Sequence, residues 1–174
     1  MNSIASQAEA LCHVYFGSKR ALEFRMKFTG LEVFDSTIQR TNSWLKELMQ
    51  ELNTADHRKT YLILRSVLHA FRDHLSGPDA IYVGEQLPML IRGLYFEHWD
   101  PAGKPLPLRN RDDFFAVLAQ YMARDGDSAL KAETAARAVF RLLERKAAEG
   151  EIEDLHSVIP LALMDLWPPA LRAA

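Results

Sequence analysis

Apolar residues recur along most of this chain at alternating steps of four and three, the spacing that lines one face of an α-helix. The pattern sharpens at Val33, after which Phe34, Ile38, Thr41, Leu45, Leu48 and Leu52 fall on one face, so a first helix is predicted over Val33 to Leu52. Asn53-Thr54 interrupts the stripe, and Thr54 with Asp56 offers the side-chain oxygen that a helix start needs. The second helix has Tyr61, Leu64, Val67, Leu68, Phe71 and Leu75 as its buried stripe and a polar opposite edge. Ser76-Gly77-Pro78-Asp79 then stops one helix and starts another, because Gly suits the left-handed position after a helix and Pro is tolerated in a first turn.

Pro88 lacks an amide hydrogen and pushes Leu87 away from helical angles, so a break is expected there. A short helix from Asp79 to Glu85 hands over to a piece from Pro88 to Glu97 that buries Leu90, Ile91, Leu94 and Tyr95, with Gly93 permitting close approach of a neighbouring backbone. His98 to Asn110 holds Pro101, Gly103, Pro105 and Pro107 and reads as an extended crossing. Beyond it, Asp112 to Arg124 turns Phe114, Phe115, Leu118 and Tyr121 inward, and Leu130 to Ala148 carries the stripe Ala135, Ala138, Val139, Leu142 and Leu143. Glu151-Ile152-Glu153-Asp154 places carboxylates in a first turn, and Pro160 breaks this last segment as Pro88 breaks its counterpart.

The two halves align at one offset. Val67 with Val139, Phe71 with Leu143, Leu87 with Ile159, Pro88 with Pro160, Leu94 with Leu166 and Tyr95 with Trp167 are each 72 positions apart. The expected architecture is therefore all-α: two tandem three-segment helical repeats, 26–100 and 111–174, joined by the Pro-rich crossing 101–110. Two copies are too few for an open solenoid, so the halves are expected to share a core. In residues 1–25, Ala8, Leu11, Cys12 and Tyr15 share a face that Gly17-Ser18-Lys19-Arg20 interrupts. That segment reads as a poorly ordered extension, with a partner-binding helix or a true start at Met26 as the alternatives.

Composition narrows the partners. A formal charge of -2 with mixed signs gives no electrostatic drive toward nucleic acid. Cys12 is the only cysteine, which removes internal disulfides and thiolate-rich metal sites and suits a reducing cytoplasm. No run of about 18 apolar residues and no secretory signal pattern is present, so a cytoplasmic protein without a membrane span is expected.

At His69-Ala70-Phe71-Arg72-Asp73-His74-Leu75, Gln86-Leu87-Pro88-Met89-Leu90-Ile91-Arg92-Gly93-Leu94-Tyr95 and Gly150-Glu151-Ile152, the chain resembles the bacterial family called domain of unknown function 2267. The resemblance runs from about Phe28 to Pro168. It implies an all-helical bacterial protein, and it brings no catalytic residues with it. The family's usual start, a Met shortly before Thr-Gly-Leu, is similar to Met26 to Leu31 here.

Candidate chemistry is sparse. Arg65, His69 and Arg72 form a row at steps of four and three that could receive a phosphate or carboxylate, or else face solvent or close intramolecular salt bridges, Asp73 being at hand. His69 with Asp73, joined by His74 or His98, falls short of a zinc ligand set, and His57 and His156 read as surface histidines. No nucleophile elbow or phosphate-cradling glycine loop is present, and Glu151, Glu153 and Asp154 are explained by a helix start. No catalytic, cofactor-binding or metal-binding residue is assigned. Tyr95, Phe96 and Trp99, beside Arg92 and His98, gather aromatic rings and cations of the kind binding hot spots use. The candidate surface is thus Arg65, Arg72, Arg92, Tyr95, Phe96, His98 and Trp99. It suits a non-catalytic interaction or regulatory module with a protein partner. Binding of a small anion in an Arg-lined groove is the alternative, and an enzyme the lesser one.

Overall fold

A computed structural model describes residues 29–124, 130–149 and 155–168, and every regular element among them is helical. In chain order these are α1 (Glu32–Glu51), α2 (His57–Asp73), α3 (Gly77–Gln86), α4 (Met89–Phe96), α5 (Arg111–Arg124) and α6 (Ala132–Ala148), then 3-10 helices at His156–Val158 and Leu161–Leu166. The all-α class is as the periodicity predicts. The extension 1–25 and the acidic turn 151–154 lie outside the described residues.

The chain divides into two units after Ser36. In the described part of the first, Gly30 takes a φ of 75°, and the Thr29 amide and hydroxyl both donate to Asp35 Oδ1 at 2.9 Å. The second unit is organised on α2. Asp56 caps it by accepting from the Lys59 amide at 2.9 Å, and α4, α5 and α6 all pack against it. Every residue from Ser66 to Leu75 is buried, so this helix has no wet side along its last two turns. Phe71 meets the edge of Phe140 at 5.6 Å, Phe140 stacks on Trp167 at 4.7 Å, and Phe114 lies 6.1 Å from Phe140. Rings from both sides of the crossing therefore fill one core.

Several expected stripes are turned relative to the observed ones. On α1 the buried residues are Asp35, Thr37, Trp44 and Leu48, while Phe34 is exposed and Leu45 and Leu52 are half-buried. Rotation of the face by about one residue takes in the indole, the largest apolar surface on the helix. On α2 Tyr61 is exposed and Ile63 is buried in its place. On α5 Met122 is buried while Phe115 and Tyr121 stay half-buried, and on α6 Phe140 joins the expected stripe. Leu90 of α4 is 48% exposed, against expectation, because the short helix presents only Ile91 and Tyr95 fully to the core.

The breaks have clear local causes. Leu87 is extended, with ψ of 144°, and Pro88 occupies the cap position before α4. Pro160 does the same before Leu161–Leu166, with φ of -57° and ψ of 136°, although the segment it opens is 3-10. Gly77 is not the left-handed cap expected of it. Helix α2 closes at His74 with φ of -99°, and Gly77 is the first residue of α3, which Ser76 caps by accepting from the Asp79 amide at 3.3 Å.

Helix α1 is tied to α6 by charge. Glu47 pairs with Lys146 at 2.6 Å and Arg145 at 3.1 Å, while Glu51 pairs with Arg141 at 2.8 Å and Arg145 at 3.1 Å. Burial alone would raise both carboxyls, but these partners hold them below the ordinary glutamate range.

Two glycines separate cleanly. A Cβ on Gly84 would lie 2.4 Å from the Phe96 ring, so close packing of α3 on the aromatic end of α4 requires glycine there. A Cβ on Gly93 would meet nothing within 4 Å, so the close approach expected at Gly93 occurs at Gly84 instead. Gly84→Ala is expected to lower unfolding free energy by about 1–3 kcal/mol through overpacking. Gly93→Ala is expected to raise it by about 0.5–1 kcal/mol, since a helix-interior glycine loses more backbone entropy than alanine. Urea unfolding of the two variants checks both signs.

Candidate functional site

The end of α2 brings Arg65, His69, Arg72 and Asp73 against the end of α4 and the crossing. Arg72 is 2% exposed and splits its guanidinium between two kinds of acceptor. Its Nε and Nη2 reach Asp73 Oδ1 at 3.0 and 2.9 Å, and its Nη1 donates to the Tyr95 carbonyl and, at 3.3 Å, to the Glu97 carbonyl. His69 Nε2 donates to the Leu94 carbonyl at 2.7 Å. The last carbonyls of α4, which no intrahelical amide can satisfy, are thus capped from α2. Arg65 Nε closes the set on Glu97 Oε2 at 2.6 Å. The row is thus turned inward onto partners within the chain, not toward solvent.

Asp73 is saturated from four directions. Beyond Arg72, its Oδ2 accepts from Lys104 Nζ at 2.8 Å and from the Tyr121 hydroxyl at 2.7 Å, and its main-chain oxygen accepts from the Leu106 amide at 2.7 Å. Burial alone would raise this carboxyl, yet the bonds from Lys104 and Tyr121 and the Arg72 charge hold it below the ordinary aspartate range. Tyr121 is pushed up by burial and by its bond to Asp73. Chemically, these groups are spent on one another. A carboxylate that accepts three donors has little basicity left, and of its two cations Lys104 has the more exposed side chain, at 19% against 3% for Arg72.

The aromatic residues divide. Tyr95 is fully buried, its hydroxyl pushed far up by burial and lacking a partner among the described residues. Phe96 touches Tyr95 at 4.9 Å and Trp99 at 5.4 Å between ring centres, and both Phe96 and Trp99 are half-buried. Arg92 is exposed and meets no carboxylate among the described residues. His98 is 78% exposed and sits in the left-handed region at φ of 52°. Of the seven candidate residues, then, Arg72 and Tyr95 are interior, Arg65 is held by Glu97, Phe96 and Trp99 are at a half-covered edge, and Arg92 and His98 face outward.

Sequence reasoning passed over Lys104 and Tyr121 as partners of Asp73, and Glu97 as the partner of Arg65. The available signal was Lys104 itself, a single cation between Pro101 and Pro107 in a stretch otherwise without charge. A groove of about 590 Å3 does run between the crossing and the last segment, but it is lined by His74, Pro105 to Arg109 and Pro160 to Ala162, away from the aromatic cluster. A second depression, about 700 Å3, lies at the α1–α2 turn around Lys46, Asn53 and His57. Among the described residues no three His, Cys, Asp or Glu side chains converge as a metal site would require, and no helix is long and apolar enough to cross a membrane.

These features define an all-helical protein whose buried polar cluster at the end of α2 is a structural clamp. The chain belongs to the family described as "Uncharacterized conserved protein (DUF2267)", whose family model matches residues 41–166. No curated protein matches it.

The clamp makes stability depend on pH in two windows. Burial holds both His69 and His74 below the ordinary histidine value of 6.5, with the Arg72 and Arg65 charges adding to the effect at His69. Unfolded imidazoles then bind protons that the folded ones refuse. Stability should therefore fall as pH drops below about 6.5, by at most about 1.4 kcal/mol per pH unit for each imidazole. Below the ordinary aspartate value of 3.8 the stabilisation from ionised Asp73 is lost in turn. Urea titrations at stepped pH should show the upper window shrink in His69→Gln and in His74→Asn, which keep a donor near each bonded nitrogen. At pH 7, Asp73→Asn should cost about 3–5 kcal/mol, because Arg72 is left buried without a counter-charge. Tyr121→Phe, which removes one donor, should cost only about 1–2 kcal/mol.

Proposed function

We propose that the protein is a non-catalytic interaction module whose partner surface is the outward end of α4, with Arg92 and His98 as its polar contacts and the Phe96–Trp99 edge beside them. The observation that carries this reading is His98. It occupies the left-handed position just past the end of α4, where Trp99 N returns to the Phe96 carbonyl at 3.1 Å. Glycine takes that conformation freely, whereas a side chain there costs about 1 kcal/mol. A histidine that is 78% exposed and whose only ionic neighbour among the described residues is Glu97, at 3.8 Å, gains little from the fold in return. Its value lies in what it presents outward.

The matched core positions Val67 and Val139, Phe71 and Leu143, and the two capping prolines support reading the second unit as two related halves around the crossing, with the partner surface on the first. The alternative, a small-anion site, loses Arg65 and Arg72 to internal acceptors and keeps Arg92.

His98→Gly should raise unfolding free energy by about 1 kcal/mol, and Arg92→Ala should leave it within about 0.5 kcal/mol. Both should lower retention of the specific partner at least about tenfold in parallel pull-downs quantified against the wild type. Full retention by both variants would remove this surface. A melting temperature raised by phosphate or citrate, and not in Arg92→Ala, would favour the anion reading.

A further inference from the structure

Helix α4 carries a glycine that no neighbour among the described residues requires. Gly93 is exposed, has no positive φ, and faces open space where a Cβ would stand. In an eight-residue helix such a residue works against helix formation. At 3.6 residues per turn, Met89, Gly93 and Leu90 follow one another across the outward side of α4, Arg92 edges them beyond the half-buried Phe96 one turn on, and Ile91 and Tyr95 lie opposite in the core. Met89, Leu90, Arg92 and Gly93 are all exposed, Met89 at 46% and Leu90 at 48%. The face is thus two large apolar side chains flanking a bare stretch of backbone, edged by a cation that meets no carboxylate among the described residues.

From this we infer that the outward face of α4 docks an acidic amphipathic helix of another protein, whose backbone crosses close over Gly93. The absence of a Cβ lets two helices approach below the usual 8–10 Å between axes, Met89 and Leu90 fill the grooves on either side, and Arg92 requires an acidic side chain at the rim. Methionine and leucine beside a small residue give a surface that adapts to the apolar face of an incoming helix. A second copy of this chain fits less well, since a symmetric contact through this face would bring two copies of Arg92 toward each other with no carboxylate on the same face to receive them. The inference rests on the proposal that the end of α4 is a partner surface, and it names the partner's chemistry.

The experiment uses the full chain and a fluorescein-labelled synthetic helix with Leu and Ala along one edge and Glu beside them, read by anisotropy. Wild type should bind. Gly93→Leu should abolish binding without loss of fold by circular dichroism, because the side chain projects into open space. Arg92→Glu should weaken binding at least about tenfold and should instead prefer the same peptide with Glu replaced by Lys. No binding by the wild type, or binding indifferent to all three changes, overturns the inference. If Gly93→Leu binds normally while Arg92→Glu does not, the close-packed helix is wrong and the partner surface survives. A dimer in sedimentation equilibrium that Gly93→Leu dissolves makes a second copy the occupant. Flotation with phosphatidylglycerol vesicles that Arg92→Glu abolishes makes a membrane the occupant. Either of those results overturns the inference.

Discussion

The Asp73 carboxylate is the interaction on which this fold turns. It sits at the end of α2, is 2% exposed, and is shared by Arg72 from its own helix, Lys104 from the crossing and Tyr121 from α5. Ion pairs taken out of water usually repay their desolvation only when every lone pair and proton finds a partner. Here both Asp73 oxygens and all three Arg72 nitrogens have partners, and the return is geometric. One carboxylate fixes the angle of α5 on α2 and, together with the Leu106 amide on the Asp73 carbonyl, pins the extended crossing across the end of the helix.

The same cluster organises α4. An eight-residue helix is too short to persist alone. Its C-terminal carbonyls are taken by His69 and Arg72, its core side by Ile91 and Tyr95, and Gly84 lets α3 close against Phe96. Stability of α4 is therefore supplied from α2 and α3, which leaves its outer residues free of structural duty. That freedom explains how a glycine can stand in the middle of the helix and a histidine at its left-handed end, the reverse of what helix propensity and capping would choose.

A division of labour follows from this. Polar residues with the look of a reactive or anion-binding row are consumed inside, and of the candidate residues Arg92 and His98 face outward at α4 and its end. Proteins depart from the locally most stable residue mainly at functional or strained sites. The departures in α4 cluster within six residues, from Gly93 to His98.

What the sequence determined by itself is what depends on local rules. Helical periodicity, the proline breaks at Leu87 and Ile159, the non-helical crossing and most of the α2 and α6 stripes were all legible, because spacing, capping oxygens and missing amide hydrogens act within a few residues. The direction in which a stripe faces was less so: Trp44 rather than Phe34, Ile63 rather than Tyr61, and the exposed Leu90 depend on which neighbour arrives. The fate of the polar edge of α2 was legible only in part. The Arg72–Asp73 pair was at hand in the sequence, but Arg65, His69 and Arg72 read as a wet face, as internal salt bridges or as an anion row until α4 and the crossing cover them, and Lys104, some 31 positions beyond Asp73, reaches the carboxylate only through the tertiary path of the chain. Burial on every side is a property of packing, and a periodicity that counts apolar residues cannot see a helix whose polar face is buried on purpose-matched charges.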